Sequence, residues 1–250
     1  MKLCVLFALL VFRLNAIAAS GNEKIVAVTE ELAPYSYTEN KKLTGFSVEV
    51  AEHILRRAGY DFQMNSYPWA RSYMLAKTNP NVMIFTMART AERENDFHWI
   101  GSLGARRLYL FKLAARKEIQ IKNLDDAKRY KIGVDRNDAS EQFLKDRGFE
   151  IDKNLDRSPD EIANVNKLLI GRIDFIAGSD LTVLNLVRRL GLQVSQIERS
   201  ILLVDQGEYF IAMSKTTSQN VVDRLKIAYL EVQKSGLFSE LRSKFGMPIE

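Results

Sequence analysis

Arg93 is the residue whose chemistry stands out first. It follows the apolar run Val82-Met83-Ile84-Phe85, of strand length, across the connection Thr86 to Ala91. Thr90 has the character of a helix N-cap, and Glu92 and Glu94 fall in what would be the first helical turn, where negative charge is favoured. The spacing therefore predicts strand, turn and helix start. A guanidinium at that point runs against the helix macrodipole. It is either a solvated cation paired with Glu92 or a partner of the free helix N–H groups in holding an anion. At a helix start, its removal would cost little stability.

Other groups with chemical potential are sparse. Trp69 directly follows Pro68 at a predicted helix start, beyond a strand end, where it either packs into the core or walls a pocket. His53 falls on the polar face of a helix and His98 lies apart from it, with no nucleophile motif beside either. Cys4 is the single cysteine, and it sits in a segment expected to be removed. No His, Asp and Glu cluster has metal-ligand spacing, and no glycine-rich phosphate loop is present, so no cofactor, metal or catalytic residue is expected. A formal charge of +5 is spread among 31 acids without a basic run, which argues against a nucleic-acid partner.

Several elements must position these residues. Met1-Lys2, the apolar run Leu3 to Phe12 and Ala16-Ile17-Ala18-Ala19 have the three parts of a secretory signal peptide, residues 1–19, with cleavage expected before Ala19 or Ser20. The rest of the chain alternates strand and helix. Lys24 to Thr29 reads as a strand and Pro34 marks a loop after it. Phe46 to Ala58 follows at helical spacing, with Ser47 placed to cap it and Gly59 to end it. Tyr60 to Asn65 is a strand, Tyr67 to Lys77 opens and runs a helix, and Val82 to Phe85 is the strand before Arg93. Phe97, Trp99 and Ile100 read as packing that closes this unit.

A second cycle begins after the strand Arg107 to Ala114 and the polar connection Lys117 to Lys128. Tyr130 to Val134 is a strand, and Asp138-Ala139-Ser140-Glu141 resembles a capping box for a helix stopping at Gly148. Ser158-Pro159-Asp160-Glu161 offers a cap, a first-turn proline and an acid for a helix burying Ile162, Val165, Leu168 and Leu169. Arg172 to Ala177 leads through Gly178-Ser179-Asp180 into the helix Leu181 to Leu190. Val194 to Val204 and Glu208 to Met213 supply the last strands before two C-terminal helices. Alternating strands and helices in two sets predict α/β architecture with two lobes. Ligands of open α/β sheets gather beyond strand C-termini, so the loops carrying Tyr35, Trp69, Thr86 to Arg93, Asp135 to Asp138 and Gly178 to Asp180 should face one cleft.

Taken in order, Ala33-Pro34-Tyr35-Ser36-Tyr37, Thr44 to Ala51, Arg89-Thr90-Ala91-Glu92-Arg93-Glu94, Lys131-Ile132-Gly133-Val134 and Gly171-Arg172-Ile173-Asp174 carry a family likeness. They resemble the type 3 bacterial extracytoplasmic solute-binding proteins that serve polar amino-acid uptake. The resemblance implies a two-lobed periplasmic-binding-protein type II fold, each lobe a mostly parallel sheet flanked by helices, with the ligand cleft between lobes. It implies crossings near Leu110 to Ala115 and Val204 to Tyr209, giving lobe 1 as 20–112 plus 208–250 and lobe 2 as 113–207.

It also implies roles. Arg93 would hold a ligand carboxylate, helped by the Thr86 hydroxyl and the Ala88 N–H, with Trp69 stacking on the ligand and Tyr35 in the adjoining loop. Ser179 occupies the position where amino-acid binders place an acid for the α-amine, so Asp138 or Asp180 would have to substitute. Arg136 either reads a second anionic group or is a surface arginine. The function implied is a monomeric periplasmic protein that captures a small polar solute, an amino acid or another carboxylate. Hinge closure would precede delivery to the permease of an ABC transporter. A ligand-sensing partner of a receptor or sensor kinase remains an alternative. So does a dehydratase-type enzyme using Asp138, Asp180 or Glu31.

Overall fold

In the computed structural model, residues 24–248 are described. The signal peptide expected at 1–19 lies outside them. The first half of the chain runs β1 (Ile25–Thr29), the hairpin β2 (Tyr37–Glu39) and β3 (Lys42–Thr44), α1 (Phe46–Arg57), β4 (Phe62–Ser66), α2 (Trp69–Thr78) and β5 (Val82–Ala88). A long strand β6 (Phe97–Leu113) follows. The second set is β7 (Ile132–Asp135), α3 (Ala139–Lys145), β8 (Leu155–Ser158), α4 (Glu161–Leu169), β9 (Phe175–Ser179) and α5 (Asp180–Arg189). A second long strand β10 (Ile197–Ser214) and helices α6 (Gln219–Lys234) and α7 (Leu237–Lys244) complete it.

Eight strands form one sheet in the order β4-β1-β5-β10-β6-β9-β7-β8. Within each outer trio the neighbours are parallel: β4-β1-β5 at one end, β9-β7-β8 at the other. The two trios share one plan, in which the first strand is central, the second outermost and the third innermost. Antiparallel β10 and β6 join them. All seven residues of β5 are buried, as expected of a strand covered on both faces. Two apolar clusters are built mainly around the first trio and two around the second.

The structure departs from the sequence reading at definite points. No helix follows Thr90. Residues 91–96 form successive turns, in which the Arg93 N–H donates to the Thr90 carbonyl and the Asp96 N–H to that of Arg93. Ala91 to Asp96 offers no apolar face, and a helix nucleus without packing does not propagate. The strand before this turn extends to Ala88 instead of stopping at Phe85. Glycines 101, 104 and 207 break the strand pattern in sequence, yet β6 and β10 are continuous because each completes the other's ladder, with register shifts taking up the irregular positions.

Caps also shift. Gly45 rather than Ser47 caps α1; its φ of 123° and a would-be Cβ 2.4 Å from the Tyr35 carbonyl leave room for glycine alone. Ser158 is the last residue of β8, a strand not foreseen, so Asp160 caps α4 by accepting from the Ala163 N–H, and Ile162 is 39% exposed. The unforeseen hairpin β2-β3 turns through Asn40 and Lys41, both at positive φ.

Gly101 of β6 lies directly beneath the Tyr229 ring of α6, whose hydroxyl donates to the Ser102 carbonyl at 2.8 Å. A Cβ at Gly101 would meet that ring at 2.2 Å. Gly101→Ala should therefore destabilise the fold by about 1–3 kcal/mol through overpacking, read by denaturant unfolding with an unchanged m-value.

Candidate functional site

Arg93 projects from the turn after β5 into the interior and is 6% exposed. Its Nη1 donates to the Ala88 carbonyl at 3.1 Å and its Nη2 to the Asn137 carbonyl at 3.1 Å, so it ties the end of β5 to the turn between β7 and α3. The guanidinium lies 5.2 Å from the Trp69 ring and 5.1 Å from the Tyr73 ring, both on α2. Trp69 is buried as well, and its Nε1 donates to the same Asn137 carbonyl at 2.9 Å. One backbone oxygen of the second trio thus receives two donors from the first.

The turn holding that oxygen is braced. Asn137 adopts φ 62°, a left-handed conformation asparagine tolerates. Its N–H donates to Glu141 Oε2 at 3.0 Å, and Arg157 binds both Glu141 Oε2 and Asn137 Oδ1. Asp138 then caps α3, accepting from the Ser140 N–H at 3.0 Å and the Ser140 hydroxyl at 2.7 Å.

Around this junction the strand ends bring together an electrostatic cluster. Glu30 follows β1, Asp135 ends β7, Asp138 caps α3 and Glu161 opens α4, while Arg106 and Tyr209 come from the central strands. Burial raises the Glu30 carboxyl well above its ordinary range, and the charges of Asp135, Asp138 and Glu161 add to this against Arg93. Burial likewise holds the Asp135 carboxyl well up, reinforced by Glu161 and Asp138. Burial pushes Glu161 to about 7 despite the Thr182 hydroxyl donating to it at 2.9 Å. Asp138 is the exception. Its burial is outweighed by Arg106, Arg93 and the Ser140 bonds, so its carboxyl is held below the usual value. Tyr209, buried beside Arg106, is pushed up to about 12.

Of the residues singled out in sequence, Arg93, Ala88, Trp69 and Asp138 meet at this junction. Tyr35 is buried 5.0 Å edge-on to Tyr209. Thr86 is buried within β5 at φ 61°, and its hydroxyl finds no hydrogen-bond partner among the described residues. Ser179 caps α5 through the Thr182 N–H, next to Glu161's own partner. Asp180 is bound by Arg199 at 2.5 and 2.6 Å and lines the cavity that also borders Tyr35, Arg106 and Ser179. Arg136 is exposed, and Glu31 is taken up by the Thr38 N–H and hydroxyl.

Glu30, Glu161, Arg106 and Tyr209 were not read from sequence as site residues, and Asp135 and Asn137 only as members of a cleft-facing loop. The signal for Glu30 and Asp135 was their place at strand C-termini. Glu161 looked like a capping acid, and Arg106 lay just outside the predicted strand. Cavities of about 420 and 300 Å³ flank Arg106, the larger also lined by Tyr35 and Ser179, the smaller by Ala88. Among the described residues no group of His, Cys, Asp and Glu is arranged to hold a metal ion, and no helix is long and apolar enough to cross a membrane.

Two parallel strand trios on a shared antiparallel pair, with a charged cleft at the strand ends, define a two-lobed α/β solute-binding protein. The chain belongs to the bacterial extracellular solute-binding proteins, family 3, which it matches across residues 25–248. It is similar to the L-cystine-binding protein TcyJ of Escherichia coli (strain K12), 25% identical over 238 residues, covering 93% of this chain and 85% of the relative. In structure it is similar to a histidine kinase sensor domain resembling periplasmic binding proteins, with a TM-score of 0.80, 16% identity and coverage of 90% and 96% of the two chains. An ancestral arginine-binding protein bound to arginine superposes with a TM-score of 0.78, 19% identity and coverage of 89% and 97%.

Glu161 sets a pH dependence of stability. A carboxyl whose pKa rises on folding binds more protons native than unfolded. Its contribution is complete below the unfolded value near 4.5 and is lost as pH rises through about 7. Glu161→Gln keeps an acceptor for Thr182 without the charge. It should gain on the order of 3 kcal/mol over the wild type between pH 4.5 and pH 8, measured by denaturant unfolding at both. Parallel stability curves for the two proteins would contradict this.

Proposed function

We propose that the chain captures an amino acid or closely related small carboxylate between its lobes and delivers it to the permease of an ABC transporter. The observation that carries this reading is Arg93. It is a buried guanidinium bonded to the Ala88 carbonyl on one side of the cleft and the Asn137 carbonyl on the other. These bonds use two of its five N–H hydrogens, leaving a fork that a carboxylate can accept. In this reading Thr86 and the Ala88 N–H share the carboxylate. Trp69 and Tyr35 wall the ligand, and Asp138, near Ser179 and Glu161, receives an ammonium. The names of the relatives, an L-cystine-binding protein and an arginine-binding protein, support an amino-acid ligand.

The lobes are assigned as 20–112 plus 208–250 and 113–207; what supports this is that the apolar clusters gather mainly around one trio or the other, with Leu110 and Phe111 of the connecting strand packing in the second set. Ligand contacts from both lobes favour the closed arrangement over the open one, which is what hinge closure requires. The protein acts outside the cytoplasm after removal of residues 1–19, as a monomer. It releases its ligand unchanged rather than turning it over. A sensing role would use the same pocket with a different partner, and the likeness in fold to a histidine kinase sensor domain is the observation that favours it.

Calorimetric titration of residues 20–250 with amino acids should give saturable binding that Arg93→Ala weakens by about 100-fold or more, the loss of a charged hydrogen-bonded pair. Because Arg93 is buried in a turn and not set at a helix start, the same change also strips the Ala88 and Asn137 carbonyls of a donor. It should lower stability by roughly 1–3 kcal/mol. Trp69→Phe keeps an aromatic ring, smaller than the indole, but removes the Nε1 donor, and should weaken ligand binding by about fivefold or more, the worth of one neutral bond across the cleft. Undiminished binding by the Arg93 variant would exclude it from the site.

A further inference from the structure

A second guanidinium lies in the cleft, on the strand that links the two trios. Arg106 of β6 is 7% exposed, as deeply buried as Arg93, yet its Nε has no hydrogen-bond partner among the described residues. Its nearest carboxylate, Asp138 Oδ2, is 3.9 Å from Nη2, an ion-pair distance beyond that of a good hydrogen bond. It shares a hydrogen bond with Tyr209 and lies 5.6 Å from that ring. A buried guanidinium with an unused donor is costly unless something accepts from it.

Its surroundings point to what that is. Arg106 borders both cavities, the larger shared with Tyr35 and Ser179, the smaller with Ala88. Arg93 and Arg106 both help to hold the Asp138 carboxyl below its usual value, and Arg93 feels Arg106 as a like charge. The remaining acids do not cancel this. Burial favours the protonated forms of Glu30 and Asp135 and raises Glu161 to about 7, which lessens how far these acids offset the two guanidinium charges. Arg106 pairs with Gly207 in the ladder, and the two backbones approach so closely that a Cβ at Gly207 would come within 2.9 Å of the Arg106 carbonyl.

We infer that Arg106 receives a second carboxylate of the ligand, so that the solute is an amino acid bearing two carboxylates, one on Arg93 and one on Arg106. This rests on the amino-acid reading of the same cleft. It assigns the role of reading a second anionic group to an arginine on the connecting strand and not to Arg136, whose side chain is exposed. An ammonium between the two carboxylates would find Asp138 and Glu161.

The test uses residues 20–250 and matched ligand pairs: meso-diaminopimelate against L-lysine, L-glutamate against L-glutamine, and L-cystine. Each is titrated by calorimetry, with the ligand-free melting temperature recorded for every variant. At least one two-carboxylate ligand should bind ten or more times tighter than its one-carboxylate or amide partner. Arg106→Gln should remove that preference, weakening the two-carboxylate ligand at least tenfold more than its partner, and Arg106→Lys should keep part of it. A side chain with only a structural role would weaken both members of a pair equally, which would overturn the inference. Should Arg106→Gln fail to fold, the wild-type pairs and Arg106→Lys decide. Wild-type preference for the one-carboxylate partners overturns the Arg106 assignment and leaves the amino-acid reading standing; absence of binding to every amino acid overturns both.

Discussion

The antiparallel ladder between β6 and β10 is the constraint on which the rest of the structure depends. Each outer trio is completed only by pairing with one of these strands, β5 with β10 and β9 with β6. Their length carries them through both apolar regions, and their registry fixes how the strand ends of the two trios confront each other. The site then needs little else from the chain: a turn after β5, a turn after β7, and the first residues of α2, α3 and α4. Each is a position where backbone groups are left without partners by the ending of a regular element, so polar side chains converge there without special provision.

Burial determines the chemistry of that convergence. A carboxylate removed from water either finds a cation or keeps a proton, and the cleft contains both solutions within a few residues. Asp138, between two arginines and bonded twice to Ser140, stays ionised. At Glu30 and Asp135 burial instead raises the carboxyl well above its ordinary range, with neighbouring acids adding to it. The Asn137 carbonyl shows the complementary case of a neutral acceptor between strong donors, satisfied by Arg93 and Trp69 together. The electrostatics of this cluster therefore depend on which side chains are charged as much as on where they are.

Much of the fold was legible because its signals are local. The apolar run of β5, the Pro68-Trp69 helix start and the Asp138 cap each depend on a few neighbours, and each formed as expected. The helix expected after Thr90 failed for a reason that lies in space: with no apolar face to bury, the acidic first turn had nothing to propagate it. Continuity of β6 and β10 was hidden because glycine reads as a break when the partner strand is unknown. In the site, Arg93 and Trp69 were legible through the family resemblance. Glu30, Glu161 and Arg106 were not, since their importance comes from burial beside residues distant in sequence. Asp180 stands between the two cases, an acid in a loop read from sequence that lines the cavity beside Arg106 but is paired with Arg199.

The β6-β10 pair has a mechanical consequence as well. Two independent single-stranded tethers would let the bodies they join rotate, slide and twist separately. Two strands tied along a ladder behave as one leaf spring: flexing the leaf strains each hydrogen bond slightly, whereas sliding one strand past the other would break the whole register at once. For the hinge closure proposed above, bending is then the soft coordinate, and Arg106, paired with Gly207 on the leaf itself, would stay near the pivot.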